Sequence, residues 1–220
     1  MDLASEMRYG RMCSLVLNIC PVPLRRKIEH FHKAQGMTDF ENFLGRNKNP
    51  LFHLRFRKCC CMAKKTTITP MNKAQWDAMY CKLQVACQNQ PCGECPCFYS
   101  PRQGITYDVM DVTLCYMVLH NFFAGGSLLS NDDRKNMETI RLTRNQLCHA
   151  SSACLDEQSF NSFWTNVTTA TLDLAQSISQ EAFDEANDKI KKLKSRMMDP
   201  SELIVLRQTM LDQGTVGEIK

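Results

Sequence analysis

The sequence predicts an all-α protein, and three observations lead to this prediction. Apolar residues recur at spacings of three and four along most of the 220 residues, the pattern of a helix with one buried face. The sequence shows no run of strand-type alternation, and it contains no glycine-rich phosphate-binding loop. Several interruptions of the helical rhythm coincide with proline or glycine, which end helices.

The composition is ordinary for a soluble globular protein, with 44% hydrophobic and 23% charged residues. The net charge of +4 allows RNA as a partner without requiring it. The longest apolar runs fall far short of the roughly 20 residues that a membrane helix needs. Charged side chains interrupt the first dozen residues, so no signal peptide is expected. We therefore expect a soluble cytoplasmic protein with no membrane span and no cofactor.

The N-terminal segment contains a predicted pair of helices. The helical rhythm that begins at Leu3 stops at Cys20-Pro21. A second helix is predicted from Leu24 to Ala34, with Pro23 in its first turn and Gly36 just beyond its end.

Two further helices are predicted before residue 90. A short one lies around Phe40 and Leu44, and another begins at Thr69 and Pro70, a capping residue followed by a first-turn proline. The core-facing side of the second helix consists of Trp76, Met79, Tyr80 and Leu83.

Residues 51–65 are the most basic stretch of the chain, and two interpretations remain open. In the first interpretation, the cations lie on the solvated side of a helix or turn. Alternatively, they form a phosphate-facing patch in which aromatic rings stack on bases. The RNA-binding candidates in this patch are Arg55, Arg57 and Lys58, with Phe52 and Phe56 as the stacking rings.

A loop rich in cysteine and proline follows at residues 87–97. The odd total of 13 cysteines, without a secretory signal, favours thiols over a disulfide framework. Three interpretations of the loop remain open: a four-thiolate zinc site, a redox-active pair and a surface loop without a special role. The candidate zinc ligands are Cys87, Cys92, Cys95 and Cys97.

The second half of the chain is predicted to hold the central helices. Residues 107–123 are apolar nearly all round, capped by Asp108 or Asp111, which places this helix at the centre of a bundle. Ser130 and the acidic residues after it predict a helix that runs to about His149.

One long helix is then predicted from near Asp156 to about Arg196, charged from Glu181 onward. Pro200 begins a short segment that we expect to be frayed. These features divide the chain into a helical domain, residues 5–185, and a charged helical extension with a tail, residues 186–220.

The helix before His149 carries the candidate catalytic residues Arg144, Asn145 and His149. At about 100° per residue, these three and Arg141 fall within an arc about 140° wide, while Ile140 points to the opposite side. Arginine can hold a phosphate with a bidentate fork. Histidine can take a proton from a ribose 2′-hydroxyl or return one to the leaving oxygen. The face therefore indicates metal-free cleavage or binding of RNA, with Arg141 as a further RNA contact.

The segment Arg144-Asn145-x-x-x-His149-Ala150, followed by Phe160-Asn161-x-x-Trp164, is similar to the closing part of HEPN domains (higher eukaryotes and prokaryotes nucleotide-binding). More narrowly, the chain resembles the branch typified by the DAZ-interacting zinc-finger ubiquitin ligase. The segments that begin at Asn72 and at Tyr107 carry further similarity, and the resemblance covers roughly residues 5–185.

The resemblance implies an antiparallel helical bundle, HEPN-like, here with an extended C-terminal helix. It further implies pairing into a homodimer in which the two Arg-x4-His faces meet in one cleft. Active relatives are metal-independent endoribonucleases in immunity and RNA processing, and others bind RNA or mediate assembly.

A second function therefore stays open beside the RNA-binding or ribonuclease module. It is a non-catalytic helical scaffold for dimerisation and interaction, in innate immune or ubiquitin-linked signalling. In that case the charged helix 181–196 would dock a partner protein.

Overall fold

The computed structural model describes residues 2–56, 71–83, 95–123, 129–150 and 152–215. Most of these residues are helical, as predicted. The chain divides into two compact units, which we call the motif unit (Met1–Lys27 and Asp111–Lys220) and the insert unit (Ile28–Met110). None of the described helices has the length and apolar character needed to cross a membrane.

The helices and strands follow one another in a simple order. The helices are α1 (Leu3–Ser14), α2 (Pro21–Ala34), α3 (Phe40–Arg46), α4 (Lys48–Arg55), α5 (Lys73–Met79), α6 (Val112–Phe123), α7 (Asn131–Cys148), α8 (Glu157–Gln176), α9 (Gln180–Ser195) and α10 (Pro200–Thr215). The strands, β1 (Tyr80–Lys82) and β2 (Tyr99–Pro101), lie between α5 and α6.

In the motif unit, α7 packs against α1, α6, α8 and α10. α1 also packs against α8, α9 and α10, and α9 packs against α8. The side chains between these helices are apolar and buried, which is the main source of their stability. Fully buried members include Met12, Leu15, Val16, Leu114, Val118, Ile140, Val167 and Leu174.

The junction between α1 and α2 differs from the prediction. A π-helical turn, Leu15–Ile19, connects them, and α2 begins at Pro21 rather than at Leu24. The Cys20 N–H donates to the Leu15 carbonyl at 3.0 Å, the i→i+5 bond of a π-turn. Proline has no N–H to donate, so the wider turn lets the chain continue in a helical path through a position where we expected it to stop.

The insert unit holds an aromatic core. Trp76 stacks on Tyr80 with ring centroids 4.1 Å apart, and Phe52 packs edge-on against Trp76. The Tyr80 hydroxyl donates to the Leu44 carbonyl at 2.9 Å. β1 pairs antiparallel with β2, with Lys82 opposite Tyr99.

Two predictions about α5 were wrong. The helix begins at Lys73, where Asn72 and Gln75 form a capping box; Thr69 and Pro70 lie outside the described residues. It also ends at Met79, before Leu83, which is exposed. The pairing of β1 with β2 and the packing of the Tyr80 ring override the helical spacing of this segment.

The predicted single helix from Asp156 to Arg196 is also wrong, because it divides in two. Asp156 caps α8 as expected, but Ser179 accepts a hydrogen bond from the Ala182 N–H and begins α9. One side of α9, including Ile190 and Leu193, is buried. The domain division at residue 185 falls inside α9 and stays a prediction.

Nor is the described part of the C-terminal segment, up to residue 215, frayed. Residues Pro200–Thr215 form a helix that packs on α1 and α7. Leu206 and Met210 are buried in that contact.

Candidate functional site

The start of α7 is anchored by a capping box and a buried ion pair. The Ser130 hydroxyl accepts from the Asp133 N–H at 2.9 Å, and the Asp133 carboxylate accepts from the Ser130 N–H at 3.1 Å. Lys27 Nζ lies 2.8 Å from the same carboxylate. Ile140 is buried in the core, as predicted, and Leu147 is buried as well. These contacts fix the rotation of α7 and so the directions in which its polar side chains point.

Arg144 is buried, with only 7% of its surface exposed. Its Nη1 donates to Asn145 Oδ1 at 3.1 Å, and its Nη2 donates to the Gln213 carbonyl oxygen at 2.9 Å. The Gln213 Oε1 lies 3.4 Å from the same nitrogen. The buried Nε has no hydrogen-bond partner among the described residues. The guanidinium therefore faces neutral oxygen acceptors and retains a donor that is not used.

This burial corrects the prediction of one polar face shared by all the motif residues. Arg144 and its neighbour on the same arc, Cys148, are buried, while His149 is exposed. The cover over Arg144 comes from the end of α10, through Gln213. Helical spacing predicts the angular order of these residues around α7 but does not show which part of the arc another helix occupies.

Asn145 and His149 are linked through the backbone at the end of the helix. His149 is the C-cap of α7, and its N–H donates to the Asn145 carbonyl at 3.1 Å. The Asn145 side chain is half-buried and the His149 side chain is exposed. The imidazole is thus accessible to a reactant from solvent, at a position five residues along the chain from the buried arginine.

The segment after His149 is held by α1. The Ser5 hydroxyl and Arg8 Nε both donate to the Leu155 carbonyl, at 2.9 and 2.8 Å. The Leu155 N–H in turn donates to the Ser5 carbonyl at 3.2 Å. Residues from the beginning of the chain therefore position the connection that leaves the motif.

Arg141 is already engaged with an anion. Its Nε donates to one Glu138 oxygen at 2.9 Å, its Nη2 to the other at 2.5 Å, and its guanidinium lies 5.0 Å from the Tyr116 ring centroid. The hydrogen bonds from Arg141 hold the pKa of Glu138 below its usual value. The Tyr116 ring also stacks on His120. A phosphate would have to displace Glu138, and RNA binding by Arg141 stays a prediction.

The basic patch and the cysteine loop are only partly described. Arg55 ends α4, half-buried, with its guanidinium 5.1 Å from the Phe56 ring centroid. Cys95 and Cys97 have their sulfur atoms 2.7 Å apart. The remaining predicted residues of these two sites, Arg57, Lys58, Cys87 and Cys92, lie outside the described residues. Their roles stay predictions.

Gln213 is the residue of the site that the sequence prediction missed. A signal for its helix was present, since Asp199 followed by Pro200 is a typical helix start. The Asp199 carboxylate does accept from the Ser201 N–H at 2.8 Å. The contact between Gln213 and Arg144 has no local signal, because the two residues are 69 positions apart.

A comparison with known protein families matches residues 94–203 to the family described as DZIP3/hRUL138-like HEPN. The match includes α6 to α9 and the Arg144, Asn145 and His149 positions. No curated protein matches the chain. No solved structure matches it either. The matched segment is half of the chain and contains the whole motif, so this protein belongs to the DZIP3/hRUL138-like HEPN family.

Proposed function

We propose that this chain binds RNA at a phosphodiester and cleaves it without a metal ion, using Arg144, Asn145 and His149. The observation that carries the proposal is the environment of the Arg144 guanidinium. It is a buried cation that faces carbonyl and amide oxygens while its Nε has no partner among the described residues. Phosphate oxygens satisfy such a group better than neutral oxygens do, because charge-assisted hydrogen bonds are stronger.

The reaction is a transesterification within the RNA. The 2′-oxygen attacks the adjacent phosphorus and forms a P–O2′ bond, while the P–O5′ bond breaks. His149 takes the proton from the 2′-hydroxyl or delivers one to the departing 5′-oxygen. Arg144 stabilises the charge that develops on the phosphoryl oxygens, and Asn145 orients the guanidinium through its hydrogen bond to Nη1. The products are a 2′,3′-cyclic phosphate and a 5′-hydroxyl.

We expect the working form to be a homodimer, because the family resemblance implies that two such motifs meet in one cleft. His149 supports this arrangement because its side chain is exposed at the end of α7. Two copies of it in one cleft would supply both a base and an acid.

The test is cleavage of a labelled single-stranded RNA in the presence of EDTA. His149→Ala is the decisive variant, because an exposed side chain can be removed without a cavity. We expect it to slow the formation of cyclic-phosphate ends by about 100-fold or more, the usual contribution of a general acid or base. Gln146→Ala, an exposed neighbour on the same helix, is the matched control and should cleave at the wild-type rate.

Two results would contradict the proposal. One is EDTA-resistant cleavage that His149→Ala retains. The other is the absence of both RNA binding and RNA cleavage in two proteins. These are the wild type and the variant Met210→Asp, which places a charge in the buried contact of α10 with the rest of the motif unit. The second result would leave a helical interaction scaffold that carries the motif without using it.

A further inference from the structure

The C-terminal helix α10 lies mostly beyond the segment that matches the family, which ends at residue 203. It is nevertheless part of the motif unit, packed on α1 and α7. The helix is therefore an addition to the matched part of the domain, and it reaches the motif itself.

One stripe of α10 makes the contact. Leu206 and Met210 are buried along it, and Gln213 follows at the next helical spacing. Opposite Leu203, α1 carries Gly10, and a Cβ added there would lie 2.0 Å from Leu203 Cδ2. The two helices approach this closely only because residue 10 has no side chain.

The end of α10 presents acceptors to Arg144. The Gln213 carbonyl lies in the last turn of the helix, where carbonyls have no partner within the helix and carry the partial negative charge of the helix dipole. It accepts from Arg144 Nη2 at 2.9 Å, and the side-chain oxygen of Gln213 lies 3.4 Å away. These oxygens take up Nη2, one of the donors that a bidentate contact with a phosphate would use.

We infer that α10 is an inhibitory cover: its docked end and an RNA phosphate compete for Arg144, so the site opens only when α10 moves away. The inference rests on the proposed function for the identity of the ligand. The burial of Arg144 by α10 can be tested without RNA.

The test uses two aspartates placed on the same helix. Met210→Asp puts a charge in the buried contact, whereas Val205→Asp puts the same charge on a side chain that is 63% exposed. Reaction of Arg144 with phenylglyoxal, followed by peptide mass spectrometry, reports whether its guanidinium is accessible. Arg46, which is exposed, serves as the internal reference.

We expect Arg144 to react about tenfold faster or more in Met210→Asp than in the wild type. This factor corresponds to an open state, with α10 away from Arg144, that is populated at about a tenth or less in the wild type and becomes dominant in the variant. Val205→Asp should react like the wild type. The affinity of Met210→Asp for RNA should exceed that of the wild type by a similar factor.

Hydrogen exchange on the unaltered chain provides a second measurement if Met210→Asp does not fold. Adding a single-stranded RNA oligonucleotide should accelerate exchange of the amides of α10, because RNA releases the helix. Equal labelling of Arg144 in the wild type and in a folded Met210→Asp would overturn the cover, as would RNA binding that leaves α10 fully protected. Faster labelling of Arg144 in Met210→Asp, without RNA binding by that variant, would support the inhibitory cover and contradict the proposed function.

Discussion

Lys27 and Asp133 form a buried ion pair at the start of α7, with side chains 6% and 8% exposed. Burial alone would raise the pKa of Asp133, but the hydrogen bond and charge of Lys27 outweigh that effect, and the pKa lies below its usual value. Ser177 Oγ also donates to this carboxylate, at 3.2 Å. The pair thus joins α2, α7 and the end of α8.

Replacing Lys27 by methionine should lower the free energy of unfolding by about 3 kcal/mol, because an unpaired carboxylate would remain buried. Lys33→Met, which removes the exposed pair with Glu29, should cost less than about 1 kcal/mol. Urea denaturation measures both. The loss in Lys27→Met should shrink below about pH 4, where Asp133 can become neutral. Equal losses in the two variants would show that burial of the pair contributes nothing.

His32 should make the insert unit sensitive to acid. It is 1% exposed, and burial lowers its pKa because it disfavours the charged imidazole. The unfolded chain takes up this proton near pH 6.5, before the folded chain does. The stabilising contribution is therefore complete above that pH and is lost as the pH falls towards the lower folded value.

The measurement compares unfolding free energies at about pH 7.5 and about pH 5.5, a range in which histidine changes charge and glutamine does not. His32→Gln should show a smaller loss between the two values than the wild type. His30→Gln, at an exposed position, should retain the wild-type pH dependence. A wild-type profile in His32→Gln would mean that another group causes the acid sensitivity.

For single residues, the sequence predicted Arg144, Asn145 and His149 as the motif residues, but it did not predict their exposure. Residue types and a spacing of five positions are local properties, and they can be recognised directly. The burial of Arg144 depends on Gln213, which is distant in sequence. A local pattern contains no information about such a contact.

Among the helices, the contact between α1 and α10 depends on one glycine. Gly10→Ala would normally favour a helix by about 1 kcal/mol. Here we expect a net loss of about 1–3 kcal/mol, because the new methyl group overlaps Leu203.

Leu203→Ala should cost stability in the wild type but relieve the overlap when combined with Gly10→Ala, and thermal denaturation of the double-mutant cycle measures this coupling. Gly45→Ala is the matched control, since nothing lies within 4 Å of its added Cβ and its φ is not positive. The free energy of unfolding of Gly45→Ala should rise by a few tenths to about 1 kcal/mol. Additive effects at positions 10 and 203 would contradict the close approach of α1 and α10.

Among the elements, the starts of α7 and α8 were predictable from the sequence. Ser130 and Asp156 cap α7 and α8 as their sequences indicated, because capping is a local hydrogen bond. The division between α8 and α9 was missed, since apolar spacing continues across Ser177 and Ser179. The strands β1 and β2 are three residues each, too short to show alternation.

For the whole molecule, the sequence predicted the class and the family but not the two units. Along the sequence, the insert unit Ile28–Met110 lies between α1 and the helices on which α1 packs. Apolar periodicity does not reveal which of two distant helices share a core, so the prediction placed residues 5–185 in one domain.

We expect the chain to pair with itself, as the family resemblance implies. Light scattering at micromolar concentration should give twice the 25.2 kDa of one chain. Dilution should return the mass to that of a monomer if the pair is reversible. A monomer at every concentration would contradict the two-motif cleft while leaving RNA binding by a single motif open to test.

The placement of α1 also bears on how the protein is made. Domains generally form as units during synthesis, from the N-terminus onward. α1 emerges from the ribosome well before its partners α7, α8 and α10, which come only after residue 130. The core around α1 therefore cannot form while the intervening segment is translated, which leaves Met12, Leu15 and Val16 without the contacts that bury them in the folded protein. During that interval the apolar side chains of α1 and of the turn after it are not covered by their partners, and exposed apolar surface of this kind promotes aggregation of a nascent chain.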